Sequence, residues 1–236
     1  MSRPRLLDAF CCEGGAGKGY MDAGFDVTGV DLEGRVGKRY PGTFVQGDAI
    51  AYIHEHGKRF DAIHASPPCQ AYSITKHTHS TEHPELVEPA RAALVASGRP
   101  WVMENVVGAP LANPLVLCGS EFDSLRATDT DGRRLFLRRH RLFESNVMLF
   151  GNGGCRCAEL KRQGLECGGV YGGGSSDHNH AREIRRGGYT PAKSVRATLL
   201  GGVDWMTLHG QAQSLPPVYT EHIGAQLLDH LARVAA

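Results

Sequence analysis

The stretch RLLDAFCCEGGAGKG, residues 5–19, joins a short apolar run to a glycine-rich turn. Its first part, residues 5–10, is predicted to form a buried strand, and a helix is predicted from about residue 16 to residue 23. Backbone amides at the start of such a helix can bind a negatively charged or polar ligand group. The turn alone is a weak indication of a cofactor, because any tight strand-to-helix connection favours the same glycines.

Strands and helices continue to alternate beyond this turn. Further strands are predicted at 25–31, 43–46, 61–66 and 101–106, and further helices at about 34–40, 48–57 and 84–97. Such alternation predicts an α/β fold with a doubly wound, mostly parallel sheet and helices on both of its faces. Ligands of these sheets bind at the carboxyl ends of the strands, so the residues that follow the strands should meet on one rim.

The alternation stops after about residue 145. Residues 151–195 contain many glycines and few apolar runs, which predicts a small, loop-rich lobe without a second large core. Apolar periodicity returns at 221–234, where a terminal helix is expected to pack on the main domain. The predicted division is therefore a catalytic domain of residues 1–150 plus 196–236 and a target-recognition lobe of residues 151–195.

Length and composition bound the kind of protein. The 236 residues are 41% hydrophobic and carry a net charge of +1, which suits one globular catalytic domain. No stretch approaches the roughly 20 apolar residues of a membrane span, and the first residues lack the pattern of a signal peptide. We therefore expect a cytoplasmic protein with no membrane partner, whose seven cysteines are reduced rather than paired in disulfides.

The small net charge conceals an uneven distribution. Residues 133–196 hold 13 Lys or Arg against 5 Asp or Glu, whereas the remainder of the chain is acidic. Five of those arginines fall within RRLFLRRHR, residues 133–141. A solvated charged surface is the ordinary explanation of a charge run, but this density favours a polyanionic partner bound through the basic segment.

Two aspartates follow predicted strands and have two explanations each. Asp31 ends the second strand, where a carboxylate can accept hydrogen bonds from the hydroxyls of a ribose. Asp48 follows the third strand and could accept a hydrogen bond from an adenine amino group. Each could equally be a helix cap, and position alone does not separate the two roles.

Cys69 follows the fourth strand in the sequence ASPPCQAYS, residues 65–73. Two prolines fix the backbone before the cysteine and prevent the strand from continuing, so a rigid loop should present the thiol. A buried cysteine is more often inert, but a loop thiol on the ligand rim is a candidate nucleophile. Glu104, in the next strand, is the acidic group expected nearby.

The order of these motifs resembles that of the DNA cytosine-5 methyltransferases. DAFCCEGGAGKG resembles the family's cofactor loop, GVDL its ribose-binding turn and QGDA its adenine-contacting aspartate. SPPCQAYS resembles the nucleophile motif, ENV the glutamate motif and LRRHRLF the arginine motif. The resemblance covers about residues 5–145 and, more weakly, the terminal helix, and it is identified by the set of motifs rather than by any one of them.

The resemblance implies a methyltransferase fold, S-adenosylmethionine as the cofactor and double-stranded DNA as the substrate. Cys69 would attack carbon 6 of a flipped-out cytosine, Glu104 would hold or protonate ring nitrogen N3, and Arg141 with Arg139 would stabilise the adduct. The implied cofactor contacts are Phe10, Glu13, Gly14, Gly15, Gly17, Asp31, Leu32, Asp48, Ala49 and Pro68. The loop of residues 70–85 would close over the flipped nucleotide.

The sequence departs from the family pattern at three places. Cys12 and Glu13 stand where the family has glycine and an apolar residue, and Leu137 replaces the glutamine before the arginines. The family's late Gly-Asn-x-Val is absent, and residues 214–224 stand in its place. The last change puts the docking of the recognition lobe in doubt more than it does the chemistry.

Cys155, Cys157, Cys167 and either His178 or His180 could supply four zinc ligands in the lobe. The spacing differs from the usual paired C-x-x-C, so unligated thiols are favoured and no metal is predicted. Twenty of the 26 basic residues are arginine. That bias and the short chain favour a bacterial or phage enzyme, expected to be monomeric and to have a cognate restriction nuclease as a candidate partner.

Three alternatives remain open at the level of sequence. One branch of the family modifies tRNA with the same motifs, and a carboxylated analogue could replace S-adenosylmethionine. A non-catalytic DNA-binding relative is a third alternative, against which the intact Cys69, Glu104, Arg139 and Arg141 argue.

Overall fold

The computed structural model describes residues 2–69, 72, 85–171 and 189–235. A seven-stranded sheet forms its centre, with strands β1 (Arg5–Ala9), β2 (Asp26–Asp31), β3 (Thr43–Gln46), β4 (Ala62–Ala65), β5 (Trp101–Val106), β6 (Leu115–Leu117) and β9 (Arg141–Ser145). A three-stranded sheet consists of β7 (Arg126–Thr128), β8 (Arg134–Leu137) and β10 (Glu166–Gly168). The α-helices are α1 (Gly15–Ala23), α2 (Ala49–His56), α3 (Val87–Ser97), α4 (Cys157–Arg162), α5 (Lys193–Leu199), α6 (Leu208–Gln213) and α7 (Pro217–Ala235).

The strand order of the large sheet is β3-β2-β1-β4-β5-β9-β6. The first five strands in this order are parallel, whereas β9 runs antiparallel to β5 and β6 runs antiparallel to β9. The order reverses at β1 and β4, which makes the rim above these two strands the expected place for a ligand. The predicted α/β fold with a doubly wound, mostly parallel sheet is confirmed.

Both faces of the sheet are covered, as neighbouring residues of β1 illustrate. Leu6 belongs to the apolar core that includes Tyr20 of α1 and Tyr219 of α7, while Leu7 belongs to a second core that includes Ile53 of α2. All five side chains are fully or almost fully buried. Alternate residues of a strand point to opposite faces, so a strand buried on both faces is apolar throughout.

The terminal helix begins at Pro217, earlier than the predicted residue 221. Proline suits the first turn of a helix because its missing N–H would have no partner there. The helix packs closely on α1: a Cβ atom added to Gly19 would lie 1.9 Å from the Pro217 carbonyl oxygen. Glycine is therefore required at this contact between α1 and α7.

One predicted helix is wrong. Residues 34–40 form only a short 3-10 turn at Val36–Lys38, because Gly34 and Gly37 disfavour a helix and Pro41 ends the segment. The predicted start of α3 at residue 84 and the proposed closing loop of residues 70–85 fall mainly outside the described residues.

The strands β6 to β10 were not predicted, and two of them, β8 and β10, join the lobe to the main domain. β10, which belongs to the predicted lobe, pairs with β8, which belongs to the predicted catalytic domain. Phe136 of β8 packs against Leu160 and Cys167 of the lobe segment. The boundary at residue 150 remains a prediction. No described helix combines the length and apolar character needed to cross a membrane.

Candidate active site

A cleft of about 1780 Å³ opens at the carboxyl ends of the parallel strands. Its walls come from the segments that follow β1, β2, β4 and β5, from the turn before β9, and from residues 206–215. All four predicted catalytic residues, Cys69, Glu104, Arg139 and Arg141, line this cleft. Cys69 and Glu104 belong to the strand-end residues that were expected on one rim, and both line the cleft together with Asp31 and Asp48. The roles of all these residues remain predictions.

The segment just before Cys69 is hydrogen-bonded to both strands that flank β4. Asn105 Nδ2 of β5 donates a hydrogen bond to the Pro67 carbonyl (2.9 Å), and Ser66 N donates one to the Ala9 carbonyl of β1 (3.1 Å). Burial raises the pKa of Cys69, the charge of Arg141 opposes the rise, and Glu104 adds to it. The thiol thus lies in a fixed loop under the direct electrostatic influence of both groups.

Strand pairing brings Arg141 to Glu104. Arg141 is the β9 residue opposite Val106, two positions beyond Glu104 on β5, so both side chains extend from the same face of the sheet. Arg141 Nε lies 3.0 Å from Glu104 Oε1. Burial nevertheless raises the pKa of Glu104, although Arg141, a hydrogen bond from Ser66 and the charge of Arg139 act to lower it. A raised pKa keeps part of this carboxyl population protonated nearer to neutral pH.

A buried polar chain lies behind Glu104. Tyr20 Oη is 3.0 Å from His64 Nδ1, and His64 Nε2 is 2.8 Å from Ser66 Oγ. Burial lowers the pKa of His64 to about 3, so the ring is neutral and has one donor and one acceptor nitrogen. Tyr20 can donate to His64, His64 to Ser66, and Ser66 to Glu104. Sequence reasoning missed this chain, because its members lie in an apolar strand and an apolar helix face.

Arg139 is more deeply enclosed than Arg141. Its guanidinium donates hydrogen bonds to the carbonyls of Ser214, Val170 (2.6 Å) and Ala212 (3.2 Å). Burial and the neighbouring Arg141 lower the pKa of Arg139 to about 10. These contacts hold the wall at residues 212–214 in place, and the charge of Arg139 still acts on Cys69 and Glu104.

The other end of the cleft is built around Asp31. Its two carboxylate oxygens accept hydrogen bonds from the backbone N–H groups of Cys12 and Glu33, each at 3.0 Å. The turn from β1 passes through positive φ at Phe10 (60°) and Cys12 (46°), a conformation that non-glycine residues rarely adopt. Each Asp31 oxygen keeps a lone pair for a further donor, such as a ribose hydroxyl.

The remaining predicted cofactor contacts differ in their environment: some line the cleft and one caps a helix. Asp48 caps α2, because its Oδ1 accepts a hydrogen bond from Ala51 N (2.8 Å). Leu32 is 66% exposed despite being apolar. The cleft-lining residues among this group are Phe10, Glu13, Gly15, Asp31, Leu32, Asp48, Ala49 and Pro68.

Three glycines of the first turn are required by packing. A Cβ atom at Gly14, where φ is 86°, would lie 2.4 Å from Pro41 Cδ, and one at Gly17 would lie 2.2 Å from Tyr40 Oη. A Cβ atom at Gly15 would lie 2.4 Å from the Leu215 carbonyl oxygen. The turn can therefore be explained without a cofactor, and direct cofactor contacts of these glycines remain predictions.

Glu13 has a structural function that the sequence did not reveal. Its carboxylate accepts hydrogen bonds from Thr207 N and Thr207 Oγ1, both at 2.7 Å, and its carbonyl accepts one from Trp205 Nε1 (2.9 Å). Glu13 thereby ties the glycine-rich turn after β1 to the segment before α6, and both line the cleft. The departure from the family pattern at this position is thus matched by Thr207, nearly 200 residues further along the chain.

No protein-family model matches the chain, and no curated protein sequence matches it. Solved structures do. A prophage-encoded E. coli chain described as a DNA modification methyltransferase has 15% identity and a TM-score of 0.59, with 98% of this chain and 100% of that chain covered. S. pombe Dnmt2 methyltransferase has 11% identity and a TM-score of 0.59, with coverages of 98% and 99%.

A third structure, the Entamoeba histolytica methyltransferase EhMeth, has 12% identity and a TM-score of 0.51, with coverages of 98% and 99%. The likeness extends over nearly the whole length of all three chains. This protein therefore has a methyltransferase fold, and its resemblance to methyltransferases of the cytosine-5 type extends from the motifs to the architecture.

Proposed function

We propose that this chain is a DNA cytosine-5 methyltransferase that uses S-adenosylmethionine. The observation that carries the proposal is the meeting of Cys69 with the Glu104–Arg141 ion pair in one cleft of a methyltransferase fold. A nucleophile, a carboxyl group with a raised pKa and a guanidinium are the three groups that addition to a cytosine ring requires.

The cofactor end of the cleft suits the adenine and ribose of a nucleoside cofactor. Leu32 offers an exposed apolar surface for an adenine ring, and the oriented carboxylate of Asp31 offers acceptors for ribose hydroxyls. One carboxylate oxygen of Asp48 caps α2, and the other can accept a hydrogen bond from the adenine amino group. When bound, S-adenosylmethionine supplies an electrophilic methyl group.

The residues of the chain act on the cytosine. Cys69 adds as a thiolate to carbon 6, forming a carbon–sulfur bond and making carbon 5 nucleophilic. Glu104 delivers a proton to N3, so that negative charge does not accumulate on the ring, and Arg141 then stabilises the carboxylate that remains. After methyl transfer, a general base such as water or hydroxide takes the carbon 5 proton, the electrons of that bond form the C5–C6 double bond and expel the Cys69 thiolate, and N3 returns its proton to Glu104.

The nucleic-acid end of the cleft is basic. Arg138, Arg139, His140 and Arg141 line it consecutively. A cytosine stacked in a duplex must be flipped out to reach Cys69, which costs a few kcal/mol. The description of the E. coli neighbour as a DNA modification methyltransferase supports DNA as the substrate. tRNA and a carboxylated cofactor are the alternatives that the experiment must address.

The test is covalent trapping with duplex DNA that contains 5-fluorocytosine. Fluorine blocks the final elimination, so the wild-type protein with S-adenosylmethionine should form a complex that survives denaturing electrophoresis. Cys69→Ser should form none, whereas Cys12→Ser, which alters another thiol of the cleft, should still form it. An adduct mapped to another cysteine, or equal trapping by Cys69→Ser, would contradict the mechanism.

Two further comparisons identify the substrate and the cofactor. Methyl transfer into unfractionated duplex DNA and into tRNA should be measured with the same enzyme preparation, and we expect transfer into DNA. Replacing S-adenosylmethionine by its carboxylated analogue should abolish the wild-type reaction. Methyl transfer into tRNA but not into DNA would overturn the proposed substrate. A reaction only with the carboxylated analogue would overturn the proposed cofactor.

A further inference from the structure

Three cysteines and one histidine from separate segments meet beside residues 138–141, here called the arginine turn, which join β8 to the start of β9. Cys118 follows β6, His140 lies between β8 and β9, Cys155 lies in the loop before α4, and Cys157 is the first residue of α4. Their ligand atoms, three sulfurs and one imidazole nitrogen, all lie within 4.8 Å of one another. This convergence has no part in the proposed methyl transfer and requires its own explanation.

The separations fit the edges of a tetrahedron. Cys118 Sγ lies 3.5 Å from Cys157 Sγ, and His140 Nε2 lies 3.4 Å from Cys155 Sγ. Tetrahedral zinc, with Zn–S bonds of about 2.3 Å and Zn–N bonds of about 2.0 Å, places two sulfurs about 3.8 Å apart and a sulfur and a nitrogen about 3.6 Å apart. A disulfide requires sulfurs at about 2.0 Å, and all these cysteines are free.

We propose that Cys118, His140, Cys155 and Cys157 form a structural zinc site. Three thiolates and an imidazole favour zinc over hard cations, which prefer oxygen ligands. Four protein ligands complete a tetrahedron and leave no position for water, so the site is structural rather than catalytic. The inference is independent of the proposed methyltransferase activity.

Hydrogen bonds from neighbouring residues hold the ligand-bearing segments in place. Ser120 Oγ lies 3.3 Å from Cys118 Sγ and accepts a hydrogen bond from Arg156 N (2.9 Å). The Glu121 carboxylate accepts hydrogen bonds from Cys118 N (2.8 Å) and from Asn152 N (3.2 Å). These contacts connect the segment after β6 to the segment before α4 and orient the thiols, as the outer partners of metal ligands do.

The site has a consequence for the arginine turn. His140 lies between Arg139 and Arg141. A zinc ion bound to His140, Cys155 and Cys157 therefore joins the backbone of these two arginines to the first segment of the lobe. The lobe's docking was put in doubt at the level of sequence by the missing Asn motif. A metal that joins residues 118, 140 and 155–157 provides a different means of docking.

This ligand set differs from the one considered from the sequence. Cys167 is not a member of the group: it packs against Phe136, Leu160 and Leu165 in the small core beneath α4. His178 and His180 lie outside the described residues. Cys118 and His140 were missed because they lie outside the predicted lobe of residues 151–195, in the segment assigned to the catalytic domain.

The experiment is metal analysis of the full chain, produced with added zinc and purified without chelators. We expect about one zinc per chain in the wild type, as a closed tetrahedral site requires. Cys118→Ser and Cys155→Ser should each lose most of the zinc, while Cys167→Ser and His180→Ala, which test the other ligand set, should retain it. Cys155 is exposed, so its replacement gives a result even if Cys118→Ser fails to fold.

Cobalt provides a measurement on the unaltered chain. Protein produced with cobalt in place of zinc should show the intense visible and near-ultraviolet absorption of tetrahedral cobalt bound by thiolates. Wild-type protein with only traces of zinc and no such cobalt spectrum would overturn the proposal. So would zinc retained by Cys155→Ser, zinc lost from Cys167→Ser alone, or a Cys118–Cys157 disulfide in freshly prepared protein.

Discussion

Arg141 Nε lies 3.0 Å from Glu104 Oε1 across two antiparallel strands, and both groups act on the pKa of Cys69 in opposite directions. Glu104 is 8% exposed, so its carboxylate form depends on the guanidinium beside it. The pair therefore couples the protonation of the carboxyl group to the reactivity of the thiol.

Replacing Arg141 by Gln should slow the alkylation of Cys69 by iodoacetamide. The thiolate is the reacting form, and loss of the positive charge raises the pKa of Cys69 further. A rise of one pKa unit would slow the reaction about tenfold below that pKa. The rate is measured near neutral pH by mass spectrometry of the peptide of residues 60–76, which contains no other cysteine.

Two controls accompany that measurement. Arg141→Lys keeps the positive charge and should react at nearly the wild-type rate, whereas Glu104→Gln removes a negative charge and should react faster. If Arg141→Gln and Arg141→Lys slow the alkylation equally, the effect is steric rather than electrostatic and the proposed coupling is wrong.

Tyr20→Phe should lower the free energy of unfolding by about 1–3 kcal/mol, because it leaves the buried Nδ1 of His64 without its hydrogen bond. The change is measured by urea denaturation. Tyr52→Phe is a matched control on the half-buried α2 ring, whose hydroxyl makes no hydrogen bond within the described residues, and it should change stability by less than about 0.5 kcal/mol. Equal effects of the two substitutions would show that the Tyr20–His64 contact is unimportant.

Asp8→Asn should change how stability depends on pH. Burial raises the pKa of Asp8 to about 7 from its ordinary value of 3.8, although a hydrogen bond from Tyr40 opposes the rise. Between these two values the folded state binds a proton that the unfolded state does not, so the stability contributed by Asp8 is complete below about pH 4 and is lost as the pH rises through about 7.

The measurement is the free energy of unfolding of the wild type and of Asp8→Asn at pH 5 and at pH 8. The wild type should lose stability relative to the variant between the two pH values, since the amide cannot ionise. Parallel behaviour of the two proteins over this range would mean that Asp8 is already ionised in the folded state at pH 5.

Arg138→Ala should weaken the binding of duplex DNA and flatten its dependence on salt. Arg138 is exposed and lines the basic end of the cleft. Each phosphate contact that is lost reduces the slope of log affinity against log salt by about 0.9. Binding is measured by fluorescence anisotropy at several salt concentrations.

Arg162→Ala, which removes another exposed charge on α4 outside the cleft lining, serves as the matched control and should leave the slope unchanged. If both substitutions reduce the affinity and the salt slope equally, the DNA is attracted by the overall charge of the basic segment rather than by a contact at Arg138. The arginines at 182, 185 and 186 belong to the same segment but lie outside the described residues.

Local sequence determined the five parallel strands, the glycine turn and the loop of Cys69. Each depends on features that act over a few residues: apolar runs form buried strands, glycine permits the φ of 86° at Gly14, and paired prolines prevent β4 from continuing. The rim that collects the strand-end residues then follows from parallel pairing, because the carboxyl ends of the strands meet at one edge.

Only the tertiary structure decided how distant segments meet. Arg141 reaches Glu104 through the register of β9 on β5, Glu13 binds Thr207, and Cys118 lies beside Cys157. Strand register and loop docking depend on which long-range contacts bury the most apolar surface and satisfy the most buried polar groups. Buried apolar area and the pairing of buried polar groups are properties of the whole fold. The local pattern therefore indicated which residues are functional candidates, while the packing of the chain determined which residues they contact.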